Sequence, residues 1–429
     1  MAFDYPAVLF EKRVWTIPRN RPDLDLMKRA ADWIRAAQAP VIIAGGGVHY
    51  SEAWGALRAF SEATGIPVTE TQAGKGSQPY DYPLNLGAVG ATGTEGANIM
   101  TREADLIIGI GTRYSDFTSA SQTAFQNPDV RFININVAEF DAYKQRALPL
   151  VGDAKVTLDE LRGLIGDYRT NDTYRQRARD FNRAWDMEVH RIYNLEHEPM
   201  LSQGEVVGMV NSQSRPQDVV LCAAGSLPGD LHKLWRTRDP RGYHLEYGFS
   251  TMGYEIAGGM GVKLADPARE VYVMVGDASF LMLNSEIVTL VQEGIKVTII
   301  VIDNHGFASI GGLSKSLGSD GFGTKYRFRS ETDQLDGDNL PIDYAQICAG
   351  MGAHVFKATT REELSGALEA SKSIQGKPVC IITETDRRQR VGGYESWWDV
   401  AVAEVSTNPA VQEARQQYEE NKSKERYHL

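Results

Sequence analysis

Short apolar runs alternate with amphipathic stretches through the first third of the chain. The run PVIIAGGG at 40–47 ends in glycines, and the stretch at 51–65 that follows it has the apolar spacing of a helix. Strands that alternate with helices in this way are typical of a parallel sheet covered on both faces. The segment TLDELRGLIG at 157–166 predicts an amphipathic helix that closes this first domain. Further β-branched runs of the same region lie at 66–72, 103–116 and 130–137.

A second alternating series begins near the middle of the chain. Residues 170–200 are dense in charge and have no strand pattern, so they predict a helical connector. The segment DVVLCAAGS at 218–226 then starts the new series, and the last two dozen residues predict a charged helical tail or arm. The other apolar runs of this second series lie at 270–277, 296–303 and 378–385.

Together the two series predict an α/β protein with two doubly wound parallel-sheet domains. A chain of 429 residues is too long for one ordinary core, which supports the division. The predicted bounds are 1–170 for the first domain, 171–204 for the connector, 205–392 for the second domain and 393–429 for a C-terminal extension.

Composition limits the classes of partner. The chain is 42% apolar and 24% charged, as folded proteins are. Its net charge of −11 argues against nucleic acid or an anionic membrane, because either requires a basic face. No apolar stretch reaches the roughly 18–20 residues of a membrane span, and acid and proline stand where a secretion signal would be apolar. Cys222, Cys348 and Cys380 lack CxxC spacing, so a disulfide framework or thiolate zinc site is disfavoured and a cytoplasmic protein is predicted.

Two polar motifs stand at the ends of two predicted strands, GDAS at 276–279 and DNHGF at 303–307. Ligands of open parallel sheets lie at the carboxyl ends of strands, so we expect Asn304 to lie beside Asp277. One carboxylate, one amide oxygen and a backbone carbonyl near Gly306 form an oxygen-only site, which suits Mg²⁺ that also contacts phosphate.

The residues after Asp277 predict the start of a helix. The small side chains of Ala278 and Ser279 let backbone N–H groups approach an anion there. Either motif alone is also consistent with an ordinary helix cap or turn. The helical spacing is carried by Phe280, Leu283, Ile287, Leu290 and Val291.

On these motifs the chain resembles the thiamine-diphosphate-dependent enzymes of the pyruvate decarboxylase and acetolactate synthase group. Their signature begins with a GDG-like motif and ends with an asparagine-rich motif. The two motifs are separated by about as many residues as Asp277 and Asn304 are here, which is 27. The resemblance implies that Asp277, Asn304 and the carbonyl of Gly306 bind magnesium. It also implies that the backbone around Ala278 and Ser279 meets the diphosphate of the cofactor.

The resemblance extends to YHLEYGFSTMGYEIAGGMGVKLA at 243–265. The family places a bulky apolar residue 25 positions before the metal aspartate, where it supports the bent cofactor. That residue is Met252 here, and the carbonyl of Ser250 would accept the 4′-amino group. The backbone of Ser226 and Leu227 would help to hold the diphosphate.

The first domain is similar to the Rossmann-like central domain of the same family, and the second to its thiamine-diphosphate-binding domain. Some relatives bind a flavin nucleotide in the central domain. The segment AGGGVH at 44–49 does not follow the GxGxxG pattern, so we interpret it as a structural turn.

Three segments are similar to the branch of the family that hydrolyses a trihydroxycyclohexane-1,2-dione during myo-inositol breakdown. They are YHLEYGFSTMGYEIAGG, DNHGFASIGGLSKSLGSDGFGTKYRFR and GYESWWDVAVAEVS. The resemblance implies hydrolytic ring opening to 5-deoxyglucuronate. His244 and His305 are candidates to move a proton, because histidine titrates near neutral pH. The candidates for polyol contact are His244, Glu246, Tyr247, Trp397 and Trp398, although paired tryptophans more often fill an interface and loop polar groups are more often solvated.

The sequence also departs from the family. Relatives begin with a pyrimidine-binding domain that supplies the glutamate activating the cofactor, and no carboxylate here is assigned that role. Since the cofactor of relatives lies between two subunits, we expect a homo-oligomer, a dimer or tetramer, or a separate chain that supplies the domain. Two alternatives stay open: an acetolactate-synthase-like carboligase or 2-oxo-acid decarboxylase, and a non-catalytic cofactor-binding subunit.

Overall fold

The structure is a computed structural model that describes residues 3–246 and 248–428. Its first half is built on a six-stranded parallel sheet in the order β3-β2-β1-β4-β5-β6. The strands are β1 (Pro40–Ala44), β2 (Val68–Glu70), β3 (Asn85–Ala88), β4 (Leu106–Ile110), β5 (Arg131–Asn136) and β6 (Leu148–Val151).

Helices cover both faces of this first sheet, and an apolar core fills each face. The middle strands β1 and β4 are buried along their whole length, which explains their continuous apolar sequence. The helices are α1 (Leu24–Ala36), α2 (Gly46–Tyr50), α3 (Trp54–Thr64), α4 (Glu95–Glu103), α5 (Asp116–Ser119), α6 (Glu139–Ala142) and α7 (Ala154–Ile165), with 3₁₀ turns at Ala7–Phe10, Gln72–Gly74 and Lys144–Arg146.

A long helix, α8 (Asp172–Tyr193), follows the first sheet and occupies most of the predicted connector. Its Asn182 side chain donates to the carbonyl of Asn85 at 2.6 Å, and its Trp185 indole donates to the carbonyl of Lys233 at 3.1 Å. The helix therefore contacts both halves of the chain.

The second half is also built on a six-stranded parallel sheet, in the order β11-β12-β10-β9-β7-β8. Apolar cores again lie on both faces, so the predicted pair of doubly wound α/β domains is confirmed. The strands are β7 (Val219–Cys222), β8 (Tyr243–Leu245), β9 (Val271–Gly276), β10 (Thr298–Asp303), β11 (His354–Ala358) and β12 (Val379–Glu384). The helices are α9 (Gln203–Gln213), α10 (Leu227–Leu234), α11 (Tyr254–Ala265), α12 (Asp277–Met282), α13 (Glu286–Gln292), α14 (Ala308–Ser316), α15 (Tyr344–Gly350), α16 (Arg361–Ser371) and α17 (Pro409–Lys422).

The structure corrects one element that the sequence predicted. The single helix expected after Asp277 is two short helices, because Leu283 adopts an extended conformation with φ −153° and ψ 81°. Asn284 and Ser285 follow it, and such residues favour helix starts over helix interiors. Phe280, Ile287 and Leu290 are nonetheless fully buried, whereas Leu283 is 42% exposed and Val291 is partly buried, so the apolar spacing identified three of its five residues as core.

No helix within the described part of the chain combines the length and the apolar character that crossing a bilayer requires.

Candidate cofactor-binding site

The two predicted motifs lie side by side at one edge of the second sheet. Strands β9 and β10 pair directly, with Ile302 opposite Gly276, so Asp277 and Asn304 both follow the carboxyl ends of neighbouring strands. The Asp277 side chain is fully buried, and its Oδ2 accepts a hydrogen bond of 2.7 Å from the backbone N–H of Gly306. The strand pairing thus assembles the residues that the sequence grouped as one site.

The other oxygens of this group have no partner. Asp277 Oδ1 and Asn304 Oδ1 are buried and receive no hydrogen bond from any described residue. A buried oxygen left without a partner costs about 1–3 kcal/mol, so such atoms generally serve a ligand. The carbonyl of Gly306 accepts one hydrogen bond of 3.2 Å from Ala308 and retains a second lone pair.

The pKa values of the two aspartates also indicate a site for a ligand. Burial, and then the neighbouring Asp303 carboxylate, raise the pKa of Asp277 well above its ordinary 3.8, and burial also raises the pKa of Asp303. Two neighbouring carboxylates, Asp277 buried and Asp303 partly buried, favour a shared proton or a cation between them. Carboxylate, amide and carbonyl oxygens suit magnesium, so the residues present fit that ion. Residues 3–246 and 248–428 hold no cluster of three or more His, Cys, Asp or Glu side chains suited to a metal, so a metal here would depend on the amide and carbonyl oxygens as well.

A buried glutamate that the sequence did not single out ties the loops of this site together. Glu255 is 1% exposed, and its carboxylate accepts hydrogen bonds from Ser279 Oγ at 2.8 Å and from the N–H of Gly253 at 2.9 Å. Burial raises the pKa of Glu255, and hydrogen bonds that include the backbone of Ala224 oppose the rise. The glutamate thus holds the GDAS motif and the turns after β7 and before α11 in one arrangement. A charged residue within the glycine-rich segment MGYEIAGGMG was the available signal.

Ser250 and Met252 lie in the turn that leads into α11. Ser250 has φ +55°, a left-handed conformation that is uncommon for serine. Met252 is half-buried, and Gly253 after it donates to Ser279 Oγ at 2.9 Å. The turn is therefore fixed to the GDAS motif, and the cofactor-binding roles of both residues stay predictions.

The loop after β7 contributes its backbone. The Leu227 side chain is buried in the core, and Ser226 Oγ donates to Gln203 Oε1 at 3.0 Å. Neither side chain is directed to a free position, so any contact of these two residues with a diphosphate would come from backbone N–H groups. That contact also stays a prediction.

The two candidate histidines lie in different surroundings. His305 contacts Glu384 through Nε2 at 2.7 Å and Asp303 through Nδ1 at 3.4 Å, which places its ring between two acids. His244 Nε2 lies 2.8 Å from the hydroxyl of Tyr254, and burial lowers its pKa.

The other candidates for polyol contact are held by the protein itself. Glu246 accepts from the N–H groups of Phe249 and Thr251, so it braces its own loop. Tyr247 lies outside the described residues. The two tryptophans pack against α5 and α17, so they fill an interface within the chain, which is the alternative that the sequence left open. The contacts of this interface are Trp398 Nε1 with Asp116 at 2.7 Å, and the Trp397 ring with the Tyr418 ring at 5.9 Å.

A cavity of about 780 Å³ lies between the two halves of the chain, and His244 is part of its wall. One wall of the cavity lies at the carboxyl ends of β1 and β4 of the first sheet, where the strand order reverses. The glycines there have a structural explanation, because a side chain at Gly45 would lie 2.4 Å from the carbonyl oxygen of Gly111. His244, Glu246 and Tyr254 line the opposite wall.

Comparison with known families accounts for both sheets. Residues 27–161 match the family model described as the central domain of thiamine pyrophosphate enzymes. Residues 223–383 match the model described as the C-terminal thiamine-pyrophosphate-binding domain of the same enzymes. The second match includes the GDAS and DNHGF motifs and the turn before α11.

Curated relatives span almost the whole chain. A protein of Bacillus cereus (strain AH820) named 3D-(3,5/4)-trihydroxycyclohexane-1,2-dione hydrolase is 42% identical over 96% of this chain and 68% of its own length. A protein of Geobacillus thermodenitrificans (strain NG80-2) with the same name is 43% identical over 98% of this chain and 69% of its own length.

Proposed function

This chain belongs to the thiamine pyrophosphate enzyme family, and we propose that it is a thiamine-diphosphate-dependent hydrolase that opens the ring of a trihydroxycyclohexane-1,2-dione. The cofactor follows from the family, and the substrate is carried over from relatives that are 42–43% identical. The product would be 5-deoxyglucuronate, formed in the breakdown of myo-inositol.

The observation that carries the proposal is the pair of buried oxygens without partners, Asp277 Oδ1 and Asn304 Oδ1. We infer that these atoms and the carbonyl of Gly306 hold Mg²⁺, and that the ion joins the diphosphate to the protein. The side chains of Ala278 and Ser279 are small, so they would let the diphosphate approach the backbone beside the metal ligands.

The reaction balances without an oxidant. Water adds to one carbonyl of the dione, and the bond between the two carbonyl carbons breaks. One carbon becomes a carboxylate, and the other takes up a proton and becomes an aldehyde. Both groups stay in the same opened chain. Bound thiamine diphosphate supplies an electron sink for the carbon that is left with the electron pair.

The side chains of the chain would position and protonate the reactants. His244 lies in the wall of the cavity and is held neutral by burial, so it is suited to exchange a proton with a polyol. His305 is placed between Asp303 and Glu384, an arrangement that favours a fixed ring over a mobile proton carrier. We favour His244 as the proton carrier.

We also propose that the enzyme works as a homo-oligomer in the cytoplasm, and that a pyrimidine-binding domain completes the site. Exposed apolar side chains beside the candidate site support this proposal, because large apolar patches commonly mark interfaces. They include Phe249 at 94% exposure, Met282 at 53% and Phe322 at 63%.

Calorimetric titration of thiamine diphosphate, with and without Mg²⁺, tests the site. The wild-type chain and Glu369→Ala, which removes an exposed carboxylate of the same domain, should bind only when Mg²⁺ is present. Asp277→Ala should lose that binding. Equal binding by Asp277→Ala and wild type would exclude Asp277 as a ligand.

Product analysis tests the reaction. With the pyrimidine-binding domain supplied, the loaded protein should release one carboxylic acid per molecule of trihydroxycyclohexane-1,2-dione and should leave pyruvate unchanged, as NMR would detect. Acetolactate or acetaldehyde from pyruvate would establish the carboligase or decarboxylase alternative. Magnesium-dependent binding without turnover of either compound would indicate a cofactor-binding subunit.

A further inference from the structure

A group of basic side chains lies on α14 and beside it, although the chain as a whole carries a net charge of −11. The residues come from two stretches that are far apart in sequence: the last turn of α14 with the loop that follows it, and the loop after β12. Arg387, Arg388 and Arg390 form one short basic run, and the members of the other stretch are spaced apart. The basic cluster consists of Lys315, Lys325, Arg327, Arg387, Arg388 and Arg390.

Counter-charge acts on the cluster only beyond ion-pair distance: Asp277 interacts with Arg387, Asp386 with Arg388 and Asp230 with Arg390. Within residues 3–246 and 248–428, no carboxylate lies within ion-pair distance of any of its six side chains. The guanidinium groups bind neutral acceptors instead. Arg387 donates to the carbonyl of His305 at 3.4 Å, Arg390 donates to the carbonyl of Ala308, and Arg327 donates to Asn339 Oδ1 at 3.4 Å.

Nearby acids are already engaged by histidines. Glu384 contacts His305 at 2.7 Å, and Asp386 contacts His197 at 3.0 Å. The positive charges therefore act on one another. Burial and then the neighbouring cations lower the pKa of Lys325.

The fold keeps these like charges close to the cofactor site. The backbone of Lys325 pairs with that of Gly306, and Tyr326 N–H donates to the carbonyl of His305 at 3.0 Å. Arg387 is half-buried and lies near enough to Asp277 for the two charges to interact. Glycines at 311 and 312 leave the space that two guanidinium groups occupy against α14.

The cluster carries more positive charge than the nearby carboxylates offset, so an anion would be stabilised there when the site is in use. We propose that the basic cluster is a carboxylate-binding site that receives the acid group produced by ring opening, with Arg387 and Lys325 as its inner ligands. The identity of the acid rests on the proposed function. The dione is neutral and the product is anionic, so the cluster would distinguish product from substrate by charge alone.

Titration of D-glucuronate, a hexuronic acid, into the chain loaded with Mg²⁺ and thiamine diphosphate tests the inference. Its methyl ester serves as the neutral counterpart, and inorganic phosphate as the alternative anion. Wild type should bind glucuronate at least tenfold more tightly than the ester and more tightly than phosphate. Arg387→Gln and Lys325→Gln should each weaken glucuronate binding roughly tenfold, because a charge-assisted hydrogen bond is lost.

Arg329→Gln is the matched control. Arg329 lies on the same segment but has its own acid, Asp333, at 3.2 Å, so its removal should leave glucuronate binding within twofold of wild type. Thermal unfolding of each variant shows whether it folds. If Arg387→Gln folds and keeps wild-type affinity for glucuronate, or if the ester binds equally well, the inference is wrong.

Two further outcomes separate this inference from its neighbours. Tighter binding of phosphate than of glucuronate, or weakened binding of thiamine diphosphate alone in Arg387→Gln, would assign the cluster to the diphosphate and overturn the proposal. Hydrolysis of the dione, measured separately, tests the proposed function. Retained glucuronate binding without hydrolysis, when the pyrimidine-binding domain is supplied, would refute the reaction and leave the carboxylate site, whereas hydrolysis without glucuronate binding would refute only the site.

Discussion

The carboxylate of Asp277 and the backbone N–H of Gly306 form a hydrogen bond of 2.7 Å across two neighbouring strands. This bond uses one carboxylate oxygen and leaves the other buried and free. It also fixes the loop that carries Asn304. A single contact therefore both joins the two motifs and orients the oxygens that we assign to the metal.

The conformation at Gly306 should be essential to that arrangement. Its φ is +130°, and a side chain there would lie 2.6 Å from the carbonyl oxygen of Thr324. Gly306→Ala should therefore lower the free energy of unfolding by about 1–3 kcal/mol and weaken magnesium-dependent cofactor binding. Urea unfolding and calorimetry measure the two effects. The control is Gly323→Ala, with φ +72° and open space around it, which should keep cofactor affinity. Equal affinity in both variants would contradict the prediction.

Glu255 should influence cofactor affinity without contacting the metal ligands. Glu255→Gln keeps the shape of the side chain but replaces one acceptor oxygen with a donor, so the bonds to Ser279 and Gly253 are not all kept. We expect a loss of about 1.5–3 kcal/mol in the free energy of unfolding. Affinity for thiamine diphosphate with Mg²⁺ should fall about tenfold.

Calorimetry and urea unfolding check this prediction together. Glu293→Gln replaces an exposed glutamate at the end of α13 and should change neither quantity. If Glu255→Gln lost stability but bound the cofactor as wild type does, the glutamate would brace the fold without organising the site.

The sequence predicted the inner strands of both sheets but not their edges. β3, β6, β8 and β11 were missed, and each is an edge strand. Inner strands are buried on both faces and read as continuous apolar runs, whereas edge strands are short and partly exposed. β3 and β6 also contain Gly87 and Pro149, which are disfavoured in strand interiors.

The candidate site likewise has residues that the sequence identified and residues that it did not. The metal oxygens follow two inner strands, so strand ends identified Asp277 and Asn304. Glu255 and the basic cluster depend on contacts between segments distant in sequence. Glu255 meets Ser279 only because α11 lies beside the GDAS motif, and Arg387 meets Lys325 only because both loops reach α14. The local pattern marks Glu255 only as a charged residue in a glycine-rich segment and does not indicate which residues it contacts.

His232 should make folding stability sensitive to acid. It is buried between the sheets, with Nδ1 2.8 Å from Thr92 Oγ1 and Nε2 3.0 Å from the carbonyl of Glu70. Burial, and then Lys75, lower its pKa well below the ordinary 6.5. The unfolded chain takes up a proton near pH 6.5 and the folded chain does not. Stability contributed by neutral His232 is therefore lost as the pH falls below 6.5, by about 1.4 kcal/mol per pH unit.

Urea unfolding between pH 5 and 7.5 measures that slope. His232→Gln should show a shallower slope than wild type in this window, whatever its stability at pH 7.5. His354→Gln, at a partly exposed strand residue, should keep the wild-type slope. A His232→Gln slope that matches wild type would indicate that His232 is protonated in the folded protein.

Lys75 should produce a second dependence at alkaline pH. Burial lowers its pKa from 10.5 to about 8, and the attraction of Glu70 opposes the shift. Between these two values the unfolded chain holds a proton that the folded chain has released. Stability should therefore rise with pH from 8 to 10.5 by about 1.4 kcal/mol per unit, and Lys75→Met should lack that rise.

Glu70→Gln separates burial from ion pairing as the cause. Glu70 supplies the attraction that holds the proton on Lys75, so its removal should lower the pKa of Lys75 further and extend the rise below pH 8. Unfolding midpoints at half-unit steps from pH 6.5 to 10.5 detect that extension. An unchanged lower limit would mean that Glu70 is itself protonated in the folded protein, as its own raised pKa allows, and that burial alone sets the pKa of Lys75.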